Sequence, residues 1–214
     1  MKREHIIEQK GIQPVFFAPL TEDAVDVISG NAGTITGNNN ATYSSNGLYF
    51  RKTTTNNGVQ YITWNSNAHN IPAPSLQQSM TFLCDFNQAS NSGHNAILIF
   101  QKNTSSRLVL LNYNWGPRMA VEKIGSGNQT INNGPNITLN TWYTNSGFSW
   151  DAENKTFSLI VNGAIYASIS VTNLPDYTNP SVLLGWADGS GNYFNGYLRN
   201  VRFYDKVYTI EMNM

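Results

Sequence analysis

The sequence predicts an all-β protein built as a two-sheet antiparallel sandwich. Short segments of alternating polar and apolar residues recur along the chain, and loops rich in Asn, Gly and Pro separate them. This spacing is typical of a β-sandwich. The stretch KTFSLIVNGAIYASISV, Lys155–Val171, places an Asn-Gly dipeptide between two such segments. Asn-Gly supplies the positive φ angles of a two-residue turn, so we expect a tight hairpin at Asn162-Gly163.

The other strands follow from the same alternation. VFFAPL, Val15–Leu20, is expected to be the first strand. Further strands are predicted at Gly47–Arg51, Gln60–Trp64, Met80–Asn87, Ala96–Lys102, Arg107–Tyr113, Arg118–Lys123, Thr141–Trp150, Ser181–Gly185 and Tyr193–Tyr204. The polar stretches TGNNNATYSSNG, NSNAHNIPAP and GSGNQTINNGPN are predicted to be loops. With 214 residues and no interdomain linker, we expect one sandwich domain.

The N-terminal stretch MKREHIIEQKGIQP differs from the rest of the chain. It is the one clearly helix-tolerant segment, and Gly11 and Pro14 end it. We therefore expect residues 1–13 to form a short arm or attachment segment and residues 14–214 to form the sandwich. The stretch has no apolar core of the kind found in signal peptides.

Composition limits the classes of partner. Charged residues make up 12% of the chain, and the formal net charge is zero. A protein that binds nucleic acid generally carries a basic patch, so nucleic acid is not an expected partner. No apolar run reaches the ~18 residues of a membrane-spanning helix. The single cysteine, Cys84, cannot form an internal disulfide and is expected to be buried.

Catalytic and metal-binding patterns are weak. Retaining glycoside hydrolysis needs two carboxyl groups about 5 Å apart. The only close carboxylate pair near strand ends, Asp151 and Glu153, precedes the hairpin and is interpreted as a turn. The three histidines are expected to be solvated, and an enzyme is disfavoured. No cofactor is expected. Calcium remains an open alternative, since two loops carry oxygen-bearing side chains. Those side chains are Asp23, Asp26, Asp188 and Asn192.

Aromatic residues beside glycine-rich turns are the better candidates for ligand contact. Sugar rings present apolar faces that stack on Trp and Tyr, while Asn and Asp side chains bond to the hydroxyl groups. The segments LLNYNWGPR and GWADGSGNYFNG combine both residue types. The candidate glycan- or partner-binding residues are Tyr113, Trp115, Trp186, Asp188, Asn192 and Tyr193. A core position is the open alternative for Trp115 and Trp186, and Trp142 is expected in the core.

Several segments resemble the laminin-G-like jelly-roll domains of the concanavalin A-like lectin/glucanase superfamily. VFFAPLTEDAVDVISGNAGT is similar to the family's opening strand and turn, and MTFLCDFNQ to an internal strand. NTWYTNSGFSWDAENKTFSLIVNGAIYAS is similar to the segment that ends in a hairpin. FNGYLRNVRFYDKVYTIEM resembles the closing strand, although Arg199 and Asn200 stand where the family has an acidic pair.

The resemblance implies a jelly roll whose last strand lies beside its first, with Leu198, Val201 and Phe203 facing inward. It also implies a non-catalytic, lectin-like module that binds glycans or protein surfaces. A phage virion surface component is the favoured setting, with other virion proteins or self-association through the arm as partners. A secreted or cell-surface bacterial carbohydrate-binding module is the alternative, and a glycoside hydrolase is less favoured.

Overall fold

Two antiparallel sheets form a sandwich in the computed structural model of the protein. The structure describes residues 12–37, 42–51, 61–90, 95–103, 106–112, 119–124, 129–131, 133–172, 174, 177, 180–186 and 193–213. The strands are β1 (Phe16–Ala18), β2 (Thr34–Thr36), β3 (Thr42–Ser44), β4 (Gly47–Phe50), β5 (Tyr61–Asn65), β6 (Met80–Gln88), β7 (Asn95–Asn103), β8 (Ser106–Asn112), β9 (Met119–Ile124), β10 (Gln129–Ile131), β11 (Trp142–Asp151), β12 (Thr156–Val161), β13 (Ala164–Ser170), β14 (Ser181–Leu184) and β15 (Gly196–Tyr204). A 3-10 helix spans Ile210–Met212.

Strands distant in the chain lie side by side, as the jelly-roll resemblance implies. Within the described residues, the larger sheet has eight strands in the order β13-β12-β11-β6-β15-β4-β3, with β1 also paired to β15. The smaller sheet has seven, in the order β10-β9-β8-β7-β14-β5-β2. Among the described residues, the structure contains no helix that could span a membrane.

The closing strand, β15, contacts both sheets through the ring of Phe203. β15 pairs antiparallel with β1, so that Phe16 lies opposite Phe203. The Phe203 ring contacts Phe82 at 5.1 Å and Phe100 of the smaller sheet at 5.7 Å between centroids. Burying one such side chain contributes about 1.5–3 kcal/mol. Leu198, Val201 and Phe203 are all fully buried, which confirms the predicted inward set.

Three strands were not predicted, and two of them lie in stretches that the sequence assigns to loops. β3 lies in TGNNNATYSSNG, and β10 lies in GSGNQTINNGPN. β2, β3 and β10 each have three residues and stand at a sheet edge. An edge strand is paired on one side only, so it does not require the apolar alternation that identifies an internal strand.

Two side chains occupy environments opposite to those predicted. Trp142, expected in the core, is half-buried on the outer face of the larger sheet. His69, expected to be solvated, is 5% exposed and packs against the ring of Phe16 at 6.0 Å. Its burial lowers the pKa of His69. Cys84 is buried as predicted, and burial raises the pKa of its thiol.

The described chain begins inside the predicted arm. Ile12 packs against the outer face of the larger sheet, in a cluster with Leu83, Ile160 and Tyr204. Residues 1–11, and with them His5, lie outside the described residues. The boundary between arm and sandwich at residue 13 therefore stays a prediction.

The predicted hairpin is confirmed, and it yields a test of its turn. Asn162 and Gly163 have φ angles of 49° and 73°, and Val161 pairs with Ala164. A Cβ atom at Gly163 would lie 2.6 Å from the Asn213 side chain. We therefore expect Gly163→Val to lower the free energy of unfolding by about 1–3 kcal/mol in urea titrations.

Gly30 provides the matched control, since its φ is 76° and nothing lies within 4 Å of its Cβ position. The loss of unfolding free energy in Gly30→Val then measures backbone strain alone. The difference in this loss between the two variants measures the clash with Asn213. An unchanged stability for Gly163→Val would contradict the assigned turn.

Candidate functional site

The sequence-predicted site residues are only partly within the described structure. Tyr113, Trp115, Asp188 and Asn192 lie outside the described residues. Trp186 and Tyr193 are described, and they pair with each other as an isolated β-bridge. The structure thus brings together Trp186 and Tyr193, the residues at the two ends of WADGSGNY.

Trp186 is the middle ring of an aromatic stack on the outside of the smaller sheet. Its centroid lies 5.1 Å from that of Tyr61 and 6.3 Å from that of Tyr193, with 23° between ring planes in both cases. Trp186 and Tyr61 also cover Ala96, Ile99 and Leu183. Trp186 is therefore neither a core residue nor a fully open ring, because much of its surface is used in packing.

A second group of aromatic side chains crosses the outer face of the larger sheet. Tyr49 lies opposite Tyr197, Tyr197 opposite Asn87, and Asn87 opposite Trp142. These four residues, from β4, β15, β6 and β11, form what we call the aromatic row. All four are half-buried. The register therefore produces a continuous band of rings, with one amide among them, that is partly open to solvent.

The rings of the aromatic row contact one another. The centroids of Tyr49 and Tyr197 are 4.8 Å apart, and those of Trp142 and Tyr197 are 6.5 Å apart. The guanidinium carbon of Arg199 lies 4.0 Å from the centre of the Trp142 ring, a cation–π contact. The Tyr49 hydroxyl donates to Asn195 Oδ1 at 3.2 Å. These contacts hold the rings in place before any ligand arrives.

Asp85 organises the backbone next to the aromatic row. Its strand, β6, lies between two strands that each carry an irregularity in register, between Tyr143 and Ser146 of β11 and between Arg199 and Arg202 of β15. Across each irregularity, the neighbouring strand advances by three residues while β6 advances by two. One asparagine in each, Asn145 and Asn200, has the positive φ typical of a β-bulge residue.

The Asp85 carboxylate binds both bulges and both arginines of β15. Its Oδ1 accepts from the Asn145 backbone N–H at 2.9 Å and lies 3.8 Å from Arg202 Nη2. Its Oδ2 accepts from Asn200 Nδ2 at 2.8 Å and from Arg199 Nε at 3.3 Å. Arg202 is 1% exposed, so this cluster holds a buried cation against a nearly buried anion.

The C-terminal segment covers the other half of the same face. Tyr208 and Met212 pack over Leu83, Ile160 and Tyr204, and all five side chains are buried. The Tyr208 hydroxyl and the Asn213 side chain both donate to the carbonyl of Gly163, which ties the segment to the hairpin turn. The aromatic row lies on a part of this face that the segment leaves open.

Among the described calcium and catalytic candidates, Asp26 and Asp151 have structural roles. Asp26 is fully buried, and its carboxylate accepts from the backbone N–H groups of Phe17, Ile28 and Ser29. Asp151 accepts from the backbone N–H groups of Glu153 and Asn154. Hydrogen bonds from Asn154 lower the pKa of Asp151. No three His, Cys, Asp or Glu side chains converge among the described residues.

The sequence analysis missed the aromatic row for two reasons. Its members come from four strands, and neighbours such as Tyr49 and Tyr197 are far apart in the chain. Trp142 was assigned to the core because large aromatic residues are usually buried. Tyr197 offered a signal, since it alternates with the inward-facing Leu198, but nothing in the sequence showed which residues stand beside it.

Comparison with known proteins agrees with this architecture. The model of the Laminin_G_3 family, described as the concanavalin A-like lectin/glucanases superfamily, matches residues 56–211. Among proteins with curated functions, no sequence matches the chain.

Solved structures with the same fold share little sequence with the chain. Domain 4 of AbnA, an extracellular arabinanase from Geobacillus stearothermophilus in complex with arabinotriose, is 20% identical, with a TM-score of 0.69 over 94% of this chain and 96% of that one. The binding domain of botulinum neurotoxin serotype D/C is 14% identical, with a TM-score of 0.65 over 92% and 50%. The Ruminococcus gnavus sialidase CBM40 bound to α2,3-sialyllactose is 20% identical, with a TM-score of 0.53 over 63% and 79%.

The Asp85 cluster gives a stability prediction. Removing one partner of a buried ion pair leaves the other charge uncompensated and costs about 3–5 kcal/mol. We therefore expect Asp85→Ala to lower the free energy of unfolding by about this amount in urea titrations. Arg199→Ala is the matched comparison, and it should cost much less because the Arg199 side chain is 26% exposed. Equal costs for the two variants would contradict the role assigned to Asp85.

Proposed function

Because the chain belongs to the concanavalin A-like lectin/glucanases superfamily, we propose that it is a non-catalytic module that binds glycans through the aromatic row. The observation that carries the proposal is the row itself, a set of half-buried Tyr and Trp rings aligned across four strands with Asn87 among them. Such rings stack on the apolar faces of sugars, while the amide bonds to their hydroxyl groups. Two of the similar structures contain arabinotriose and sialyllactose, which supports the same ligand class.

The proposal assigns no catalytic residue. Hydrolysis of a glycosidic bond needs a pair of suitably spaced carboxyl groups. Among the described residues at the aromatic row, Asp85 supplies the carboxylate, and its oxygens are already engaged with Arg199, Arg202 and two asparagines. A carboxylate held in this way is suited to fixing the surface rather than to transferring protons.

A protein partner is the second candidate ligand. Tyr and Trp are enriched at protein interfaces as well as in sugar sites, and a row that crosses four strands offers a broad surface. A protein-binding module would use the same residues, so the distinction depends on binding experiments.

Tyr197 is the residue through which the glycan proposal is best tested, since its ring contacts both Tyr49 and Trp142. Loss of one stacking ring costs about 1–3 kcal/mol by analogy with bases stacked on aromatic side chains. We expect Tyr197→Ala to weaken binding of the tightest ligand on a glycan array by about tenfold or more in calorimetric titrations. The melting temperature should change little, because the ring lies on the outer face and is not part of the core.

Tyr166→Ala is the matched control, since Tyr166 is 52% exposed on the edge strand of the same sheet. It should bind as the parent does. If Tyr197→Ala also binds as the parent does, the contact surface lies elsewhere, and Trp115→Ala then tests the group that the sequence predicts. If the parent binds no glycan on the array, the protein-partner proposal replaces this one.

The location in which the module works is also a proposal, and a phage virion surface is the favoured one. A place on a phage virion surface would use residues 1–13 as the attachment segment. We expect deletion of residues 1–11 to abolish incorporation into particles without lowering glycan affinity, as measured by sedimentation of particles and by titration. Incorporation at the parent level would contradict the attachment role, and a secreted or surface-bound bacterial module would then be favoured.

A further inference from the structure

The polar cluster beside the aromatic row carries more positive than negative charge. Its ionised members are Arg199, Arg202 and Asp85. Asp85 is 5% exposed and Arg202 is 1% exposed, so these two charges are held largely away from water. One carboxylate thus faces two guanidinium groups, and one positive charge has no counter-charge within the cluster.

The accessible, unused hydrogen-bond donors of this cluster belong to Arg199. Arg202 uses its Nε to donate to the carbonyl of Asn200 at 3.0 Å and its Nη2 to donate to Asn145 Oδ1 at 2.6 Å. Arg199 donates only through Nε, to Asp85. Within the described part of the chain, its two terminal nitrogens have no hydrogen-bond acceptor. Its side chain is 26% exposed, whereas Arg202 is 1% exposed, so Arg199 is the accessible arginine of the cluster.

The Arg199 guanidinium is held in place before a ligand binds. Asp85 holds the Arg199 Nε, and the guanidinium carbon lies over the Trp142 ring, 4.0 Å from its centroid. An arginine fixed in this way loses less rotamer entropy on binding than a free surface arginine does. Its remaining N–H groups form the planar fork that matches the two oxygens of a carboxylate.

We propose that the aromatic row selects saccharides that carry a carboxylate. The Arg199 terminal N–H groups bind the carboxylate, and the neighbouring Tyr197 and Trp142 rings contact the sugar that bears it. Asp85 does not repel this ligand strongly, because Arg202 and two asparagine groups already offset its charge. This inference rests on the proposed glycan-binding function and adds the chemical class of the ligand.

The test compares saccharides that differ only in their acidic group. The probes are α2,3-sialyllactose against lactose, and trigalacturonate against its trimethyl ester, titrated calorimetrically into the full chain at low and high salt. For at least one pair we expect the acidic member to bind about tenfold or more tightly, as a charge-assisted bidentate contact would give. This preference should decrease as the salt concentration rises, because the contact is partly exposed.

Variants of Arg199 assign the preference to its guanidinium group. Arg199→Gln should bring the ratio of the two affinities to within about twofold, since the charge and the fork are both lost. Arg199→Lys keeps the charge without the fork and should reduce the ratio several-fold. Arg51→Gln is the matched control, because Arg51 is exposed and directly follows β4. Arg51→Gln should keep the parent's ratio of affinities for the acidic and neutral saccharides.

Each outcome distinguishes this inference from the function on which it rests. Equal affinities within both pairs, with binding still weakened by Tyr197→Ala, overturn the carboxylate preference and leave the glycan-binding function standing. A preference that survives Arg199→Gln, or that is lost in Arg51→Gln, also overturns it. If no probe and no array glycan binds the parent, the proposed function itself fails. Thermal melts of each variant show whether a loss of binding reflects unfolding.

Discussion

The outer face of the larger sheet depends on the hydrogen bonds and ion pairs of the Asp85 carboxylate. It lies on β6, between two strands that each contain a β-bulge, and it binds a group in each bulge. Because successive residues of a strand point to opposite faces, one extra residue reverses every later side chain. The bulge of β15 therefore allows Leu198 and Val201 to face the core while Arg199 and Arg202 both face Asp85.

The same strand connects the core with the candidate site. At one end of β15, Phe203 packs against rings of both sheets. At the other end, Tyr197 stands in the aromatic row. The C-terminal segment covers the outer face beside Tyr204 and leaves the face around Tyr197 open. A binding surface built on paired strands is held more rigidly than one built on loops, which suits ligands that bind through a few ring contacts.

The internal strands and the hairpin were predictable because their signals are local. Alternation of apolar residues identified the strands that bury one or both faces, and the Asn162-Gly163 pair specified its own turn through the positive φ values that it tolerates. The edge strands β2, β3 and β10 were missed, since strands of three residues are too short to show alternation. His69 was misassigned for a related reason, because its burial comes from the packing of a distant Phe16.

The candidate site depended on the register between distant strands, which local sequence patterns do not show. The sequence by itself determined the fold class, the inward set of β15 and the presence of aromatic and amide side chains suited to sugars. Only the tertiary structure decided that Tyr49, Tyr197, Asn87 and Trp142 form one row and that Arg199 lies on Trp142. The physical reason is that register between strands far apart in the chain is set by the packed core and by the bulges around Asp85, and no local pattern records it.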